Sequence, residues 1–323
     1  MNDFLVTVVV PTFRRPDLLH RCLTALCAQT LAKNQFEIVV VDDGNEAGTA
    51  DLVCSTAHRL GLQISYLGQP QRRGPAAARN RGWRAALAPI IAFTDDDCVP
   101  QPGWLEAALK PFKAGASVVT GRIKMPLPNR PRAYDRTTAL LETAEFVTAN
   151  CFCRRTALEQ VGGFDEAFDI AWREDSALQF AFLRAGIPIE PCPQAILVHP
   201  IRPAPWYTSL TDERKNRYDA LLYKRYPDLF LERIPRYPAL VGMYYGIVGS
   251  ALITIGGTIT GSKPMVKTGG LSWLLLTAGL LAYRQMNQPV EELPQNGLIA
   301  VASPFLSVYW RLYGAVKHQV WYW

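Results

Sequence analysis

The sequence contains little charge. Lys, Arg, Asp and Glu make up 19% of its 323 residues, whereas apolar residues make up 49%. The net charge of +6 would suit a nucleic acid, a membrane surface or an anionic small substrate, but no run of Lys and Arg resembles a nucleic-acid-binding arm. We therefore expect no nucleic-acid partner, and we attribute the positive charge to an anionic substrate and an anionic membrane surface.

The cysteine spacing argues against a zinc-finger protein, and the first residues argue against a secretory signal peptide. The seven cysteines are odd in number and show no spacing typical of a zinc finger, so free thiols in a reducing compartment fit best. The apolar run at residues 5–10 ends at Pro11, is too short for the core of a signal peptide and follows no basic stretch. We expect the first domain to stay in the cytoplasm.

Short continuous apolar runs alternate with helical patterns over the first 100 residues. Residues 5–10 and 38–41 are typical of strands buried on both faces of a parallel sheet, and apolar residues at helical spacing lie between them. The pattern continues with a helix at 47–59, a strand at 62–67, a helix at 75–87 and a strand at 89–93. It predicts an α/β domain built from strand-helix-strand units.

The regular alternation of strand and helix patterns ends after residue 100. The pattern predicts a helix at 104–112, a strand at 117–121, a strand at 146–152, a helix at 174–184, and strands near 187 and at 195–199. The Pro-rich segment around residues 126–136 is expected to form a loop that covers the substrate.

Two acidic clusters lie at strand ends, where α/β sheets bind ligands. Asp42 and Asp43 could accept hydrogen bonds from a base or ribose, or could cap the following helix. Asp95, Asp96 and Asp97 are three adjacent carboxylates, which are stable together mainly when a cation neutralises them. A divalent ion that bridges two phosphates is therefore predicted, with a solvated acidic turn as the alternative.

Basic and acidic residues at two predicted helix starts are further candidates. Residues 71–75 and Arg79 place arginines and Gly74 at a helix N-terminus, which suits a pyrophosphate or, alternatively, a solvated helix face. Glu174 and Asp175 open another helix, either as favourable dipole charges or with Asp175 as a general base. His199 ends a strand and is either structural or a metal ligand.

The chain becomes strongly apolar after the charged stretch at 211–236. Residues 237–262 contain no charge and are long enough to span a bilayer core, and an uncharged run at 268–283 follows. A third apolar run at 297–310 is interrupted by Pro304, and the sequence ends with Trp321, Tyr322 and Trp323. We predict a catalytic domain at 1–236 and a membrane hairpin with an interfacial segment at 237–323, with a buried hairpin in a soluble protein as the alternative.

Six segments taken together resemble the family-2 glycosyltransferases of the GT-A fold. They occur in the family's order within residues 5–200, and the apolar C-terminal part lies outside the resemblance. The segments are VVVPTFRR from Val8, VVVDDG from Val39, GPAAARNRG from Gly74, IAFTDDD from Ile91, VGGFDE from Val161 and WRED from Trp172.

The resemblance implies a GT-A nucleotide-diphospho-sugar transferase fold, a Rossmann-like mixed sheet flanked by helices, and a role for each matching residue. Asp175 would be the catalytic base, supported by Glu174, in an inverting displacement on a UDP-, GDP- or dTDP-sugar. Asp95 and Asp97 would hold Mn²⁺ or Mg²⁺, and Thr12, Asp42 and Arg79 would contact the nucleotide. Beyond these matches, His199 is a further candidate metal ligand, and the nucleotide-sugar site is expected to include Pro11, Arg14, Asp43, Gly74, Asp95 and Asp96.

The sequence departs from the family pattern at one signature, and this departure narrows the expected reaction. The Q-x-x-R-W signature of the processive synthases is not matched by the region around Arg202 and Trp206. Single-sugar addition to a glycan or lipid-linked acceptor at the inner membrane, in polysaccharide or cell-envelope synthesis, is therefore expected. The alternatives are a sugar nucleotidyltransferase, although the loop at Pro11 lacks its glycine-rich pattern, and a non-catalytic nucleotide-binding scaffold.

Overall fold

The computed structural model describes residues 4–286 and 288–322, so Trp323, one of the terminal aromatic residues singled out above, lies outside the described residues. The chain divides into two compact units. The first comprises Met1–Arg130 and Asp135–Ile201, and the second comprises Pro131–Tyr134 and Arg202–Trp323. This division falls earlier than the predicted boundary after residue 236, because the helices between residues 202 and 236 pack within the second unit.

One mixed eight-stranded sheet forms the centre of the first unit, with the strand order β3-β2-β1-β4-β7-β6-β8-β5. Strands β1 to β4 are parallel, and β7 pairs antiparallel with both β4 and β6. The strands are β1 Val6–Thr12, β2 Phe36–Asp42, β3 Ile64–Gly68, β4 Ile90–Phe93, β5 Val99–Pro100, β6 Val118–Lys124, β7 Cys151–Arg154 and β8 Ile189–Val198.

Helices cover both faces of this sheet. Val6, Val8 and Val10 of β1 pack into one core with Leu19 and Leu23, whereas Val9 packs into another. Alternate residues of a strand face opposite sides, so a continuous apolar run is needed where both sides are covered. The helices of this part are α1 Pro16–Cys27, α2 Ala47–Leu60, α3 Pro75–Ala85, α4 Trp104–Lys113, α6 Arg155–Val161 and α7 Glu174–Arg184, and α5 Ala133–Ala139 belongs to it from Asp135 onwards.

Three predicted elements differ from the structure. The strand predicted at 146–152 is a short 3-10 turn, Thr148–Asn150, followed by β7, because Asn150 turns inward to bond Trp104. The two strands predicted near 187 and at 195–199 are one strand, β8, with an irregular register opposite Gly121 and Arg122. The loop predicted at 126–136 continues into α5.

The second unit is helical. Helices α11 and α12 pack against each other, and α13 packs against both. The interfacial segment predicted at 297–310 is part of α13, which continues through Pro304 for 26 residues. The helices are α8 Thr208–Asp212, α9 Arg217–Arg225, α10 Pro227–Arg233, α11 Pro238–Thr260, α12 Lys263–Gln285 and α13 Leu293–His318.

Helices α11 and α12 are each 23 residues long and apolar enough to cross a membrane. At about 1.5 Å per residue, each helix exceeds the roughly 30 Å hydrocarbon core of a bilayer. Large apolar side chains such as Ile259 and Leu275 are exposed on them. The predicted hairpin is therefore present, and its composition is compatible with membrane association.

Candidate active site

The strand order places the two acidic clusters, after β2 and after β4, on either side of the end of β1. Strand β1 lies between β2 and β4, so Thr12 at the end of β1 is next to Asp42 at the end of β2 and close to the residues that follow β4. A position where neighbouring strands connect in opposite directions opens a crevice at their carboxyl ends. Asp95, Asp96 and Asp97 leave β4 at this crevice.

A buried arginine joins the acidic cluster to the start of α7. Arg79 donates from Nη2 to Asp95 Oδ1 at 2.7 Å and from Nη1 to Glu174 Oε1 at 3.2 Å. Its side chain is 3% exposed, so both ion pairs are formed by a buried guanidinium. Arg79 was predicted to contact the nucleotide, and the structure places it behind Asp95, where it orients two of the predicted site carboxylates.

These ion pairs change the ionisation of their members. Burial alone would lower the pKa of Arg79, but Asp95 and Glu174 hold that pKa well above its usual range. Burial would raise the pKa of Asp95, and Arg79 lowers it below its usual range. The pKa of Glu174 is raised by burial and by the neighbouring Asp175 charge, which together exceed the effect of Arg79. Its Oε2 atom is buried without a partner among the described residues.

Asp96 points towards β1 rather than along the crevice. Thr12 donates to Asp96 Oδ2 at 2.8 Å, and the Arg15 guanidinium lies 3.2 Å from Oδ1. Burial raises the pKa of Asp96 to about 6, although Arg15 and Thr12 both oppose the shift. Asp96 therefore ties the strand ends of β1 and β4 together.

Asp97 forms part of a group of three potential metal ligands. Its Oδ1 lies 3.6 Å from Nε2 of His199, and the donor atoms of Asp97, Cys98 and His199 all lie within 4.8 Å of one another. The backbone of His199 is fixed by a hydrogen bond to the Lys124 carbonyl, while its Nδ1 is buried without a partner among the described residues. Of the predicted metal ligands Asp95, Asp97 and His199, the structure brings Asp97 and His199 together with Cys98, whereas Asp95 accepts a hydrogen bond from Arg79.

Asp175 is held at the first turn of α7. Both of its carboxylate oxygens accept hydrogen bonds from Thr148, at 3.3 Å from the amide and 3.1 Å from the hydroxyl. Arg173, which precedes the helix, has a φ of +71°, in the left-handed region that a non-glycine residue seldom adopts. Backbone strain of this kind is concentrated at functional sites.

Asp42 organises the loop after β2. Its carboxylate accepts hydrogen bonds from the amides of Gly44 and Glu46, at 2.8 and 2.9 Å, and from the Tyr66 hydroxyl at 3.0 Å. A carboxylate offers about four acceptor positions, so one remains for a ligand. Asp42 thus holds the turn that leads into α2 without capping a residue of the helix itself, and its contact with a base stays a prediction.

Asp43 fixes the arginine-rich loop that precedes α3. Its oxygens accept hydrogen bonds from the Gln69 side chain and from the amides of Arg73 and Gly74, at 3.1, 2.7 and 2.9 Å. Gly74 has a φ of +85°, and a Cβ atom there would lie 2.2 Å from the Asp169 carbonyl oxygen. Only glycine fits this position without movement of the chain.

The Gly74→Ala variant is therefore expected to be destabilised. The left-handed conformation alone costs an L-residue about 1–3 kcal/mol, and the close approach to Asp169 adds to this. Thermal unfolding of both proteins measures the difference. The control is Gly48→Ala in α2, where an added Cβ meets nothing within 4 Å. Equal melting temperatures for Gly74→Ala and Gly48→Ala would contradict the prediction.

The remaining predicted donor-site residues lie on the β1 side. Pro11 is within β1 and half-buried, and Arg14 follows the strand with a φ of +55°. Arg14 pairs with Glu46 at 2.7 Å, and its side chain is 67% exposed. The Arg72 guanidinium lies over the Phe13 ring, 4.4 Å from its centroid. Phe13 and Arg14 thus follow β1, and Arg72, from the loop before α3, packs on the Phe13 ring.

Several contributors had no readable signal in the sequence. Thr148 lies in an apolar run, Arg15 was quoted only as the last residue of a motif, Cys98 follows a quoted motif, and Tyr66 lies in a strand. Asn80, quoted only as part of a motif, bonds the backbone of Phe164 in both directions at 2.9 Å. Apart from Cys98, which lies next to Asp97, each of these residues contacts a partner more than 20 residues away in the sequence.

Comparison with known families identifies the family of the chain. The model of the family Glycosyl transferase family 2 matches residues 7–170, just over half of the chain. The chain belongs to this family. It is a glycosyltransferase, which sets aside the nucleotidyltransferase and scaffold alternatives, and the matched range contains β1 to β4 and the acidic residues after them.

Characterised relatives are also glycosyltransferases. The chain is 28% identical to glycosyltransferase AglE of Haloferax volcanii over 61% of this chain and 67% of that one. It is 32% identical to the pre-mycofactocin glycosyltransferase of Mycobacterium tuberculosis, over 69% of this chain but only 48% of that one. The chain thus spans about half to two thirds of these relatives.

Solved structures share the fold. A mannosyltransferase from Pyrobaculum calidifontis, in complex with GDP-Man and Mn²⁺, has a TM-score of 0.56 at 19% identity and covers 98% of this chain and 87% of its own. The TarS 1-349 fragment of S. aureus, in complex with UDP, has a TM-score of 0.53 at 15% identity and covers 99% and 93%. The GT-A fold expected from the sequence is confirmed.

Proposed function

We propose that the chain transfers a single sugar, with inversion, from a nucleotide diphosphate sugar to an acceptor hydroxyl. The observation that carries this proposal is the chain of contacts from Asp95 through Arg79 to Glu174, which fixes the start of α7 and Asp175 beside the acidic strand end. A base and a diphosphate site are the two parts that a direct displacement requires.

Asp175 is the base in this proposal. Its carboxylate removes the proton from the acceptor hydroxyl while the acceptor oxygen forms a bond to the anomeric carbon. The bond from that carbon to the diphosphate oxygen breaks on the opposite face, and its electron pair leaves with the diphosphate. Thr148 holds both carboxylate oxygens and so fixes the direction of attack. Glu174 is a positioning residue in this proposal, because its carboxylate pairs with the buried Arg79 and so holds the start of α7.

A divalent ion would be held by Asp97 and His199, with Cys98 next to them. The fit rests on the donor set and on the buried, unpartnered Nδ1 of His199, which leaves that ring with unused bonding capacity. Carboxylate suits Mn²⁺ and Mg²⁺, whereas imidazole and thiol suit transition metals, so the set favours Mn²⁺ over Mg²⁺. When bound, the ion would neutralise the charge that develops on the departing diphosphate.

Loss of either ligand is expected to weaken Mn²⁺ binding. For Asp97→Asn and His199→Ala we expect a rise in the dissociation constant of about 10–100-fold or more. The decrease of the free Mn²⁺ electron paramagnetic resonance signal on titration measures it without turnover. His58→Ala, an exposed histidine in α2, is the control. Wild-type affinity in both cluster variants would show that the ion is held elsewhere.

The acceptor is proposed to be a lipid-linked or other membrane-proximal glycan, as in polysaccharide or cell-envelope synthesis. Support comes from α11 and α12, which are long and apolar enough for a membrane anchor. We place the anchor in the inner membrane, with the catalytic unit on the cytoplasmic side, where nucleotide sugars are made and thiols stay reduced.

The test is a donor panel on the full chain in detergent. UDP-, GDP- and dTDP-sugars are incubated with Mn²⁺, Mg²⁺ or EDTA, and nucleotide release and nucleotide binding are both recorded. We expect release from one donor, dependent on metal. Metal-dependent binding without release would direct the search to lipid acceptors, and failure to bind any nucleotide would overturn the proposal.

A further inference from the structure

The outer face of α3 carries arginines that the proposed reaction does not use. Arg79 lies on the buried side of this helix, whereas Arg81 and Arg84 lie on the side that is at least partly exposed, and Arg73 precedes the helix. Residues one to three turns apart share a helix face. These arginines line a cavity of about 590 Å³, which we call the α3 groove, together with Gln71 and Glu166.

The α3 groove is predominantly positive. Glu166 is its single carboxylate and pairs with Arg73 at 2.6 Å and with Arg84 at 3.5 Å. The side chain of Arg81 makes no ion pair or hydrogen bond with the residues that the structure describes. Three guanidinium groups and one carboxylate leave two positive charges uncompensated in the groove.

The walls of the groove are fixed by buried contacts. Glu166 accepts a hydrogen bond of 2.8 Å from Asn80, which is 1% exposed. The backbone of Arg73 is held by Asp43 at 2.7 Å. A backbone and a carboxylate that are already fixed lose less freedom when a ligand binds, and the volume lies within the roughly 300–1,000 Å³ typical of small-molecule sites.

The chemistry of the groove selects its ligand. Arginine presents a planar set of N–H donors that matches phosphate oxygens, and the small side chains of Ala77 and Ala85 allow close approach. A phosphate monoester carries a charge of about −1.5 to −2 near neutral pH, which matches the excess of two positive charges, whereas a single carboxylate does not. We propose that the α3 groove binds the phosphate monoester of a small ligand.

The α3 groove differs from the acidic crevice in the sign of its charge, and phosphate binding in the groove requires no metal ion. Carboxylates dominate the crevice, whereas guanidinium groups dominate the groove on the other side of α3. The ligand is either a soluble sugar phosphate or the headgroup of a phosphate-bearing lipid. Both present the same phosphate monoester and differ in the group attached to it.

The test is a calorimetric titration of the full chain in detergent with EDTA present, so that metal-dependent donor binding does not contribute. The probes are glucose 1-phosphate and dihexanoyl phosphatidic acid. The test variant is the double replacement Arg81→Ala with Arg84→Ala, and the control is Arg59→Ala, an exposed arginine in α2. Circular dichroism checks that each variant is folded.

We expect at least one probe to bind, with affinity about tenfold or more lower in the double variant and unchanged in Arg59→Ala. Preference for glucose 1-phosphate would identify a soluble ligand, and preference for the lipid would identify a headgroup. Absence of binding at millimolar concentrations, or equal loss in Arg59→Ala, would overturn the proposal. Neither result bears on donor turnover, so this inference and the proposed transferase reaction can fail separately.

Discussion

The Asp175→Asn variant is expected to transfer sugar about 10²–10⁴ times more slowly than the wild type, because general base catalysis contributes a factor of that size. Asparagine has the same shape and can keep both contacts with Thr148, so the start of α7 should not move. It cannot accept the acceptor proton. The loss should therefore appear in kcat, with the donor dissociation constant within about twofold of the wild type.

The control for this variant is Asp51→Asn, an exposed aspartate in α2, which should retain wild-type kcat. Initial rates at saturating donor and acceptor measure kcat, and donor binding is titrated separately. If Asp175→Asn retained full activity, the base would be another group, and Glu174 with its raised pKa would be the next candidate.

The Arg79→Met variant is expected to lower the free energy of unfolding by about 3–5 kcal/mol, the cost of leaving buried charges without their partner. Asp95 and Glu174 would both lose the guanidinium that compensates them. Methionine has similar length and fills the space without charge. Urea unfolding in detergent, followed by tryptophan fluorescence, reports on this unit through Trp83 and Trp104, which are buried in it.

Combination with a second substitution separates charge from packing. If the cost comes from uncompensated charge, adding Glu174→Gln to Arg79→Met should recover part of the lost stability. Arg59→Met, at an exposed position, should change stability by less than about 0.5 kcal/mol. A loss in Arg79→Met as small as that in Arg59→Met would show that Arg79 does not compensate these carboxylates.

The parts of the fold that were predictable depend on local pattern. Strands β1 and β2 are buried along almost their whole length, and an unbroken apolar run is the local sign of that environment. The turn at Thr148–Asn150 was missed because its structure depends on Trp104, 46 residues away, whose ring nitrogen donates to Asn150. A run of apolar residues cannot reveal such a partner.

The candidate site also contains residues that a local pattern indicates and residues that only the folded chain reveals. The candidate carboxylates stood out because they follow strands or open a helix, and those positions are local. Their partners are not local: Arg79 lies 16 residues from Asp95 and 95 residues from Glu174. The sequence therefore identified candidate acidic residues, whereas the contacts of Arg79 with Asp95 and Glu174 could be found only in the folded chain.

The left-handed conformation of Arg173 has a consequence for attempts to make this enzyme more robust. A glycine there would relieve about 1 kcal/mol or more of conformational strain, so a search for stabilising substitutions would select it. The same substitution would free the peptide that leads into Glu174 and Asp175. Thermostable variants chosen by melting temperature alone are expected to acquire changes at position 173 and to lose turnover as they do so.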